Sequence, residues 1–368
     1  MGKKRRKQYW WILGVLIVLL AAGGVAILLA PEPPRHELRL AREALNTAQK
    51  AQAEVYAPSV YNEARQLYDS AMVNWSRQNE RFFLNRDFSQ VQQFAMLSSE
   101  KAADAAAHSV HQVKNTNSQV KNSIAELGKQ VLHYERVYKK LPLSRSVINE
   151  HNKGKMKLAE AKIADESGRY KEAKTHCQQA EKLIKSSNER AESLLKAWFA
   201  HYPQWKKDGA EAIRLSKGGK KVILVDKLAH QCVVYQNGKA IRQFEAELGI
   251  NWMGDKRRKG DKATPEGIYR VTQKKEGART KFHRALLLDY PNDNDKRRFA
   301  AGKKNGSLPA GAAIGGLIEI HGHGGKGVDW TDGCIALTNE NMDALFRLVA
   351  VGTPVIIVGS LKPLSEIY

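Results

Sequence analysis

The spacing of apolar residues changes near Pro203, and this change constrains the fold more than any other feature of the sequence. Before it, apolar residues recur at helical spacing, as in Val60, Ala64 and Leu67. After it come short runs rich in β-branched residues, such as Lys221–Asp226. The sequence therefore predicts an α+β multidomain chain in which a helical region precedes a mostly-β domain.

The length of 368 residues is also that of a multidomain protein, since a typical domain has roughly 150. Changes in composition along the chain, and the positions of proline and glycine, predict the following segments. They are a cytoplasmic basic tail at 1–8, a transmembrane anchor at 9–30, a Pro-rich linker at 31–36, a helical repeat region at 37–200, a second linker at 201–217, the mostly-β domain at 218–360 and a C-terminal tail at 361–368.

The predicted anchor is the uncharged run Tyr9–Ala30, which directly follows the basic run Lys3–Lys7. A helix of this length spans a hydrocarbon core of ~30 Å. A cleaved signal peptide is the alternative, but its apolar part would be roughly 7–15 residues, and Pro31 is a poor residue after a cleavage site. We therefore expect a single-pass protein of the bacterial inner membrane, with its bulk on the periplasmic side because basic flanks stay in the cytoplasm.

An internal repeat with an offset of 82 residues runs through the helical region. The aligned positions are Phe88, Val91, Ala95, Ser98, Ala102, Ala105 and Ser109 in the first copy, and Tyr170, Ala173, Cys177, Ala180, Ile184, Ser187 and Ala191 in the second. The pattern predicts two helical hairpins joined by a helix over Gln112–Leu141. Because the region lacks residues at catalytic spacing, we expect a spacer or a docking surface for a partner protein.

The net charge of +22 raises the question of a nucleic-acid partner. The basic groups Lys256–Lys259 and Asp295–Arg298 are not interleaved with aromatic residues, as a base-stacking surface would be. We interpret them as a solvated positive face and expect no nucleic-acid partner. The three cysteines, Cys177, Cys232 and Cys334, exclude a disulfide scaffold and a four-cysteine zinc site.

The mostly-β domain contains one segment that suggests chemistry, Ile318–Leu337. A predicted strand delivers His321 into a glycine-rich loop, and Cys334 follows between Gly333 and Ile335. A cysteine nucleophile needs a base that produces the thiolate and backbone N–H donors for the developing oxyanion. A buried cysteine with an unrelated histidine would leave the same pattern, so spacing alone does not decide between the two.

The same residues resemble the L,D-transpeptidase catalytic-domain family of bacterial cell walls (YkuD-type). The matches are His321-Gly322, the segment Trp330–Ile335 with its Trp-Thr-x-Gly-Cys pattern, and Thr264–Tyr269, which is similar to the family's Thr-Pro-x-Gly-x-Tyr. The resemblance covers about residues 221–359. It implies a membrane-associated cysteine acyltransferase of cell-wall biogenesis.

The resemblance also implies the roles of individual residues. Cys334 would be the nucleophile, His321 its base, the Gly322 carbonyl the group that orients His321, and Gly333 an oxyanion N–H donor. Supporting or substrate-binding residues would be Thr331, Asp332, His323 and Trp330. The implied partner is a peptidoglycan stem peptide, whose diaminopimelate carbonyl is attacked before an amine accepts the acyl group. No metal or organic cofactor is implied.

Asp332 departs from the family pattern, because most members have histidine at this position. Three alternatives to the transpeptidase remain open. The domain could hydrolyse L,D-linked or protein-to-wall bonds, or it could be a non-catalytic wall-binding scaffold whose site has decayed. The third alternative is a zinc site, because His-x-His is a ligand spacing; its ligands would be His321, His323, Asp332 and Cys334.

Overall fold

The computed structural model of the chain describes residues 2–28 and 30–368. Helices occupy most of the chain up to Ser216. They are α1 Gly2–Leu28, α2 Arg35–Lys50, α3 Ala53–Tyr56, α4 Pro58–Asn79, α5 Ser89–Val137, α6 Arg145–Glu166, α7 Tyr170–Phe199 and α8 Tyr202–Ser216. Helices α9 Asp293–Lys304 and α10 Asn339–Leu348 lie among the strands that follow.

The predicted transmembrane anchor at 9–30 is wrong. Helix α1 includes the basic run Lys3–Lys7 and ends at Leu28, before the predicted end of the anchor, and residue 29 lies outside the described residues. Across residues 2–28 and 30–368, no helix combines the length and the apolar character that a membrane crossing requires. The prediction of a single-pass inner-membrane protein depends on this anchor and is therefore also wrong.

The chain divides into two compact units, of which the first comprises residues 1–125 and 160–177. Small side chains form its core. One cluster contains Ala48, Ala53, Ala57, Tyr61, Ala64, Ala102 and Ala105, and another contains Leu38, Ala41, Ala71, Phe88, Val91 and Ala95. The alanines allow the helix backbones to approach closely.

The repeat positions are buried in both copies, except that Tyr170 is only half-buried. The helix expected over Gln112–Leu141 is not a separate element. Helix α5 instead runs without a break from Ser89 to Val137, because no proline or left-handed residue interrupts it.

The second unit comprises residues 126–159 and 178–368. Its core joins helices and strands in one apolar cluster, which includes Tyr138, Leu195, Trp198, Leu224 and Ile356. Residues 201–217, expected to be a linker, contain helix α8, which packs against strands β1 Val222–Asp226 and β8 Pro354–Val358. The helix-to-strand boundary therefore follows Ser216 rather than Pro203.

The strands of this unit form an eight-stranded mixed sheet in the order β3-β2-β1-β8-β4-β5-β6-β7. The remaining bounds are β2 Gln231–Gln236, β3 Lys239–Glu245, β4 Gly267–Glu276, β5 Arg284–Leu288, β6 Glu319–His321 and β7 Ile335–Ala336. Asn237 and Gly238 have positive φ and form the tight turn between β2 and β3, the conformation that an Asn-Gly pair favours.

Two helices follow local signals at their first residues. Thr338 accepts a hydrogen bond from the Asn341 N–H and begins α10. Asn292 forms a capping box with Asp295 at the start of α9, so the basic group Asp295–Arg298 lies in a helix.

Candidate active site

Strands β6 and β7 bring His321 and Cys334 to neighbouring positions at one end of the sheet. The strands are parallel, with Ile320 opposite Ile335 and His321 opposite Ala336. Cys334 is the residue immediately before β7. Since extended residues two apart face the same side of a sheet, this register puts Cys334 on the side of His321.

The backbone carbonyl of Gly322 determines the tautomer of His321. His321 Nδ1 lies 2.6 Å from the Gly322 carbonyl oxygen. Because a carbonyl only accepts hydrogen bonds, Nδ1 carries the hydrogen. The neutral ring then has its lone pair on Nε2, and this is the atom that can take a proton from a thiol.

Two aromatic rings fix the orientation of the imidazole. Phe282 stacks on His321 with ring centroids 3.5 Å apart and an interplanar angle of 8°. Trp330 meets the imidazole edge-on, with centroids 5.8 Å apart. His321 is consequently only 1% exposed. Sequence reasoning missed Phe282, because it precedes β5 and no motif links it to the histidine.

Burial keeps both candidate reacting groups uncharged at neutral pH. It raises the pKa of the Cys334 thiol to about 11, although the Glu319 backbone N–H and the positive charge of Lys256 act in the opposite direction. Burial also lowers the pKa of His321, an effect that the hydrogen bond to Gly322 partly offsets. The resting pair is therefore a thiol and a neutral imidazole.

The thiol of Cys334 lies beside the loop that precedes β6. Its Sγ atom is 3.6 Å from the carbonyl oxygen of Leu317, to which the S–H donates. Leu317 has a φ of 57° and its side chain is 73% exposed. A leucine in the left-handed region is strained, and here that conformation occurs at the residue whose carbonyl contacts the sulfur.

The turn that carries Cys334 is closed by Thr331. The Thr331 hydroxyl donates to the Cys334 carbonyl at 2.7 Å and accepts from the Gly333 N–H at 3.2 Å. Gly333 has a φ of 125°, and a Cβ atom there would lie 2.5 Å from the Ala263 carbonyl oxygen, so only glycine suits the position. The Gly333 N–H, expected as an oxyanion donor, has Thr331 as its partner in this structure.

Lys256 contacts the same turn, and sequence reasoning missed this contact. Its Nζ atom lies 3.2 Å from the Asp332 carbonyl oxygen and 2.8 Å from Asp261 Oδ1. Arg257 and Lys259 are exposed, as expected for a solvated face, but Lys256 is buried. The side chain of Asp332 is exposed.

Glu247, a residue that no motif indicated, holds the glycine-rich loop. Its carboxylate accepts from the Trp330 indole N–H and from the Gly327 backbone N–H, each at 2.7 Å. His323 is exposed, with a φ of 68°, and its backbone N–H donates to Asn339 Oδ1 at 2.8 Å. The structure therefore joins Trp330 to His321, while the exposed His323 ring meets Phe282 edge-on, with centroids 6.0 Å apart.

The zinc alternative finds no support in the geometry. Within residues 2–28 and 30–368, no three side chains of the His, Cys, Asp or Glu type come together as a metal ion would require. Nδ1 of His321 is occupied by the Gly322 carbonyl, and the Asp332 carboxylate is exposed.

The Thr264–Tyr269 segment lies beside the Cys334 turn and supports it. The Thr264 hydroxyl accepts from the Gly249 N–H at 2.9 Å, and Gly249 forms a bridge with Thr331. Glu266 is buried and binds Lys227 Nζ at 2.8 Å. The role of this segment here is therefore to support the turn that carries Cys334.

A cavity of about 770 Å³ borders the site at Lys256, between α8, α9 and the start of β4. Arg298 pairs with both Asp255 and Asp295 at its wall. The lining contains neither Cys334 nor His321. The cavity is thus adjacent to the candidate catalytic pair and separate from it.

Comparison with protein families identifies the segment that contains this site. Residues 220–357 match the family model described as YkuD, the L,D-transpeptidase catalytic domain. Residues 220–357 are therefore an L,D-transpeptidase catalytic domain. Residues 1–219 and 358–368 lie outside the match.

Individual relatives resemble the L,D-transpeptidase domain over limited lengths. The "Putative L,D-transpeptidase YafK" of Escherichia coli (strain K12) is 29% identical over 98 residues, which are 26% of this chain and 32% of the relative. The chain thus spans about a third of the curated relative that it matches.

Solved structures of low identity are also similar to part of the chain. An L,D-transpeptidase from Xylanimonas cellulosilytica DSM 15894 has 16% identity and a TM-score of 0.26, over 38% of this chain and 60% of that chain. One from Mycobacterium smegmatis has 17% identity and a TM-score of 0.25, over 38% of this chain and 58% of that chain.

Proposed function

We propose that this chain is a cysteine acyltransferase that acts on peptidoglycan stem peptides, with Cys334 as the nucleophile and His321 as its base. The family match of residues 220–357 supports L,D-transpeptidation as the reaction class. The observation that carries the assignment of the residues is the 2.6 Å contact between His321 Nδ1 and the Gly322 carbonyl. It leaves Nε2 free to accept a proton on the side of the sheet where Cys334 lies.

The first half-reaction forms a thioester. His321 Nε2 takes the thiol proton, and the Cys334 sulfur attacks the diaminopimelate carbonyl whose amide bond leads to D-alanine. The C–N bond breaks, and the imidazolium returns the proton to the departing amine. Because burial raises the thiol pKa to about 11, the sulfur needs His321 to remove its proton.

The second half-reaction transfers the acyl group. An amine of a second stem attacks the thioester carbonyl, His321 accepts its proton, and the sulfur leaves with that proton to restore the thiol. The burial of His321 between Phe282 and Trp330 keeps water away from one side of the base. Exclusion of water favours an amine acceptor over hydrolysis.

Mass spectrometry of muropeptides after incubation with the full-length protein tests the proposal. We expect released D-alanine and new cross-linked dimers, and no product from Cys334→Ala. Shortened or released monomers without dimers would instead identify a hydrolase of L,D-linked or protein-to-wall bonds. An unmodified substrate, together with binding to isolated sacculi, would identify a scaffold.

A pair of histidine variants assigns the base. His321→Gln should lower the acylation rate by roughly 10²–10⁴-fold, the usual contribution of a general base. His323→Gln is the matched control, because its ring is exposed two residues away, and it should retain most of the activity. The reverse result would transfer the role to His323.

A further inference from the structure

A continuous chain of hydrogen bonds runs through the Cys334 turn and begins at a buried lysine. Lys256 Nζ donates to the Asp332 carbonyl at 3.2 Å. The N–H of the same peptide group, on Gly333, donates to the Thr331 hydroxyl, which in turn donates to the Cys334 carbonyl. One ammonium group is thereby connected to the peptide groups before and after the nucleophile.

The position of Lys256 distinguishes it from the other basic residues of its loop. Its side chain is only 4% exposed, whereas Arg257, Arg258 and Lys259 are exposed. Asp261 pairs with it at 2.8 Å. A charge held away from water in this way requires specific partners, and one of its two partners is the carbonyl inside the catalytic turn.

The physical effect of this contact falls on the backbone donors. A carbonyl that accepts from a cation polarises its own peptide group, so the Gly333 N–H becomes a stronger donor to the Thr331 hydroxyl and is held there more firmly. The two bonds of Thr331 also restrict rotation of the peptide groups around Gly333. Donors aimed at a developing oxyanion accelerate acyl transfer most when they are fixed in advance.

We propose that Lys256 is a positioning residue that, through the Asp332 carbonyl and the Thr331 hydroxyl, holds the Cys334 turn in the orientation that stabilises the oxyanion. The inference rests on the proposed function, since it concerns the same acylation step. It assigns a role in that step to a residue of the basic loop. It also accounts for Asp332, whose backbone carbonyl is the group that matters, while its carboxylate points to solvent.

Two reactions of the same sulfur separate this role from a merely structural one. Acylation by a carbapenem passes through an oxyanion, whereas alkylation by iodoacetamide is a direct displacement at carbon and forms none. In Lys256→Met we expect the acylation rate to fall about ten- to a hundredfold, less than the 10²–10³ for complete loss of a donor. The alkylation rate, compared on its pH-independent plateau, should remain within about twofold.

Lys256→Met should fold, because Asp261 keeps the backbone N–H groups of Arg257, Arg258 and Ala263 as donors. Thr331→Val removes the hydroxyl from the same series of hydrogen bonds and keeps a side chain of similar shape. It should also slow acylation and leave alkylation unchanged. Lys259→Met, which removes an exposed charge from the same loop, is the matched control and should retain the rates of the unmodified protein.

The outcomes are distinguishable. An equal loss of acylation and alkylation would show that Lys256 only holds the site together, and would overturn the proposal. A shift of the alkylation pKa that explains the whole acylation loss would assign Lys256 to the thiolate and also overturn it. If the unmodified protein alkylates at Cys334 but never acylates, the proposed function fails before the role of Lys256 is tested.

Discussion

Lys227 and Glu266 form an ion pair in the interior of the catalytic domain, with Nζ and Oε1 2.8 Å apart. The Lys227 side chain is 0% exposed. The same carboxylate accepts from the indole N–H groups of Trp198 at 3.1 Å and Trp205 at 2.8 Å. Glu266 thus joins the Thr264–Tyr269 segment to helices α7 and α8, which precede the family match in sequence.

Removal of one member of this pair should destabilise the fold. In Lys227→Met the Glu266 carboxylate stays buried without its cation, and losing one partner of a buried pair costs about 3–5 kcal/mol. Burial by itself would raise the pKa of Glu266, but Lys227 and the two indoles outweigh it and lower the pKa. Urea unfolding measures the change. Lys262→Met, an exposed lysine nearby, is the control, and an equal stability of both variants would contradict the prediction.

Truncation before residue 218 should also destabilise the catalytic domain, although the family match begins only at residue 220. Such a chain lacks Trp198 and Trp205, and Trp205 packs directly on Gly359, where an added Cβ would lie 2.3 Å from its ring. We expect a lower melting temperature, measured by circular dichroism. Trp205→Phe, which replaces the indole by a smaller ring without the N–H donor, should cost at least about 1–2 kcal/mol.

Glu247 should control the reaction rate through Trp330. In Glu247→Met the carboxylate is lost, so neither the Trp330 indole N–H nor the Gly327 N–H keeps its acceptor. Trp330 then loses its fixed edge-on contact with His321, and we expect acylation to slow by about tenfold through misorientation of the base. The melting temperature should change by only a few degrees. Unchanged acylation would show that Phe282 alone orients the imidazole.

Local signals in the sequence predict much of the fold. Thr338 begins α10 and the Asn237-Gly238 pair forms the turn between β2 and β3, since capping and turn geometry depend on residues a few positions apart. The pairing of β6 with β7 brings His321 and Cys334 to one end of the sheet, and their catalytic roles stay a prediction. This pairing follows from the family motif more than from periodicity.

The contacts that the sequence does not predict join residues that are distant along the chain. Lys256 belongs to a basic run typical of a solvated surface, and its burial depends on Asp261 and on the Asp332 carbonyl 76 positions away. Phe282 and Glu247 likewise act through contacts that form only in the folded protein and produce no periodic pattern in the sequence. The predicted anchor is wrong on separate grounds, because within residues 2–28 and 30–368 no helix is both long and apolar enough to cross a membrane.

The pH dependence of acylation should reflect the burial of His321. The reactive form needs a neutral imidazole, and burial lowers the pKa of His321 below its ordinary value of 6.5. Activity should therefore persist below pH 6.5 and decline only as the pH falls through the lowered pKa. On the alkaline side, ionisation of the Cys334 thiol should have little effect until the pH approaches its pKa of about 11. The rate constant for carbapenem acylation, measured as a function of pH, gives both limbs.

The variant Phe282→Ala tests the cause of that acid limb. It uncovers the face of the imidazole on which Phe282 now stacks at 3.5 Å, so water can solvate the imidazolium and the His321 pKa should rise towards 6.5. The acid limb of the acylation profile should move upward by the same amount. An acid limb already at or above pH 6.5 in the unmodified protein would mean that His321 is solvated, contrary to its 1% exposure.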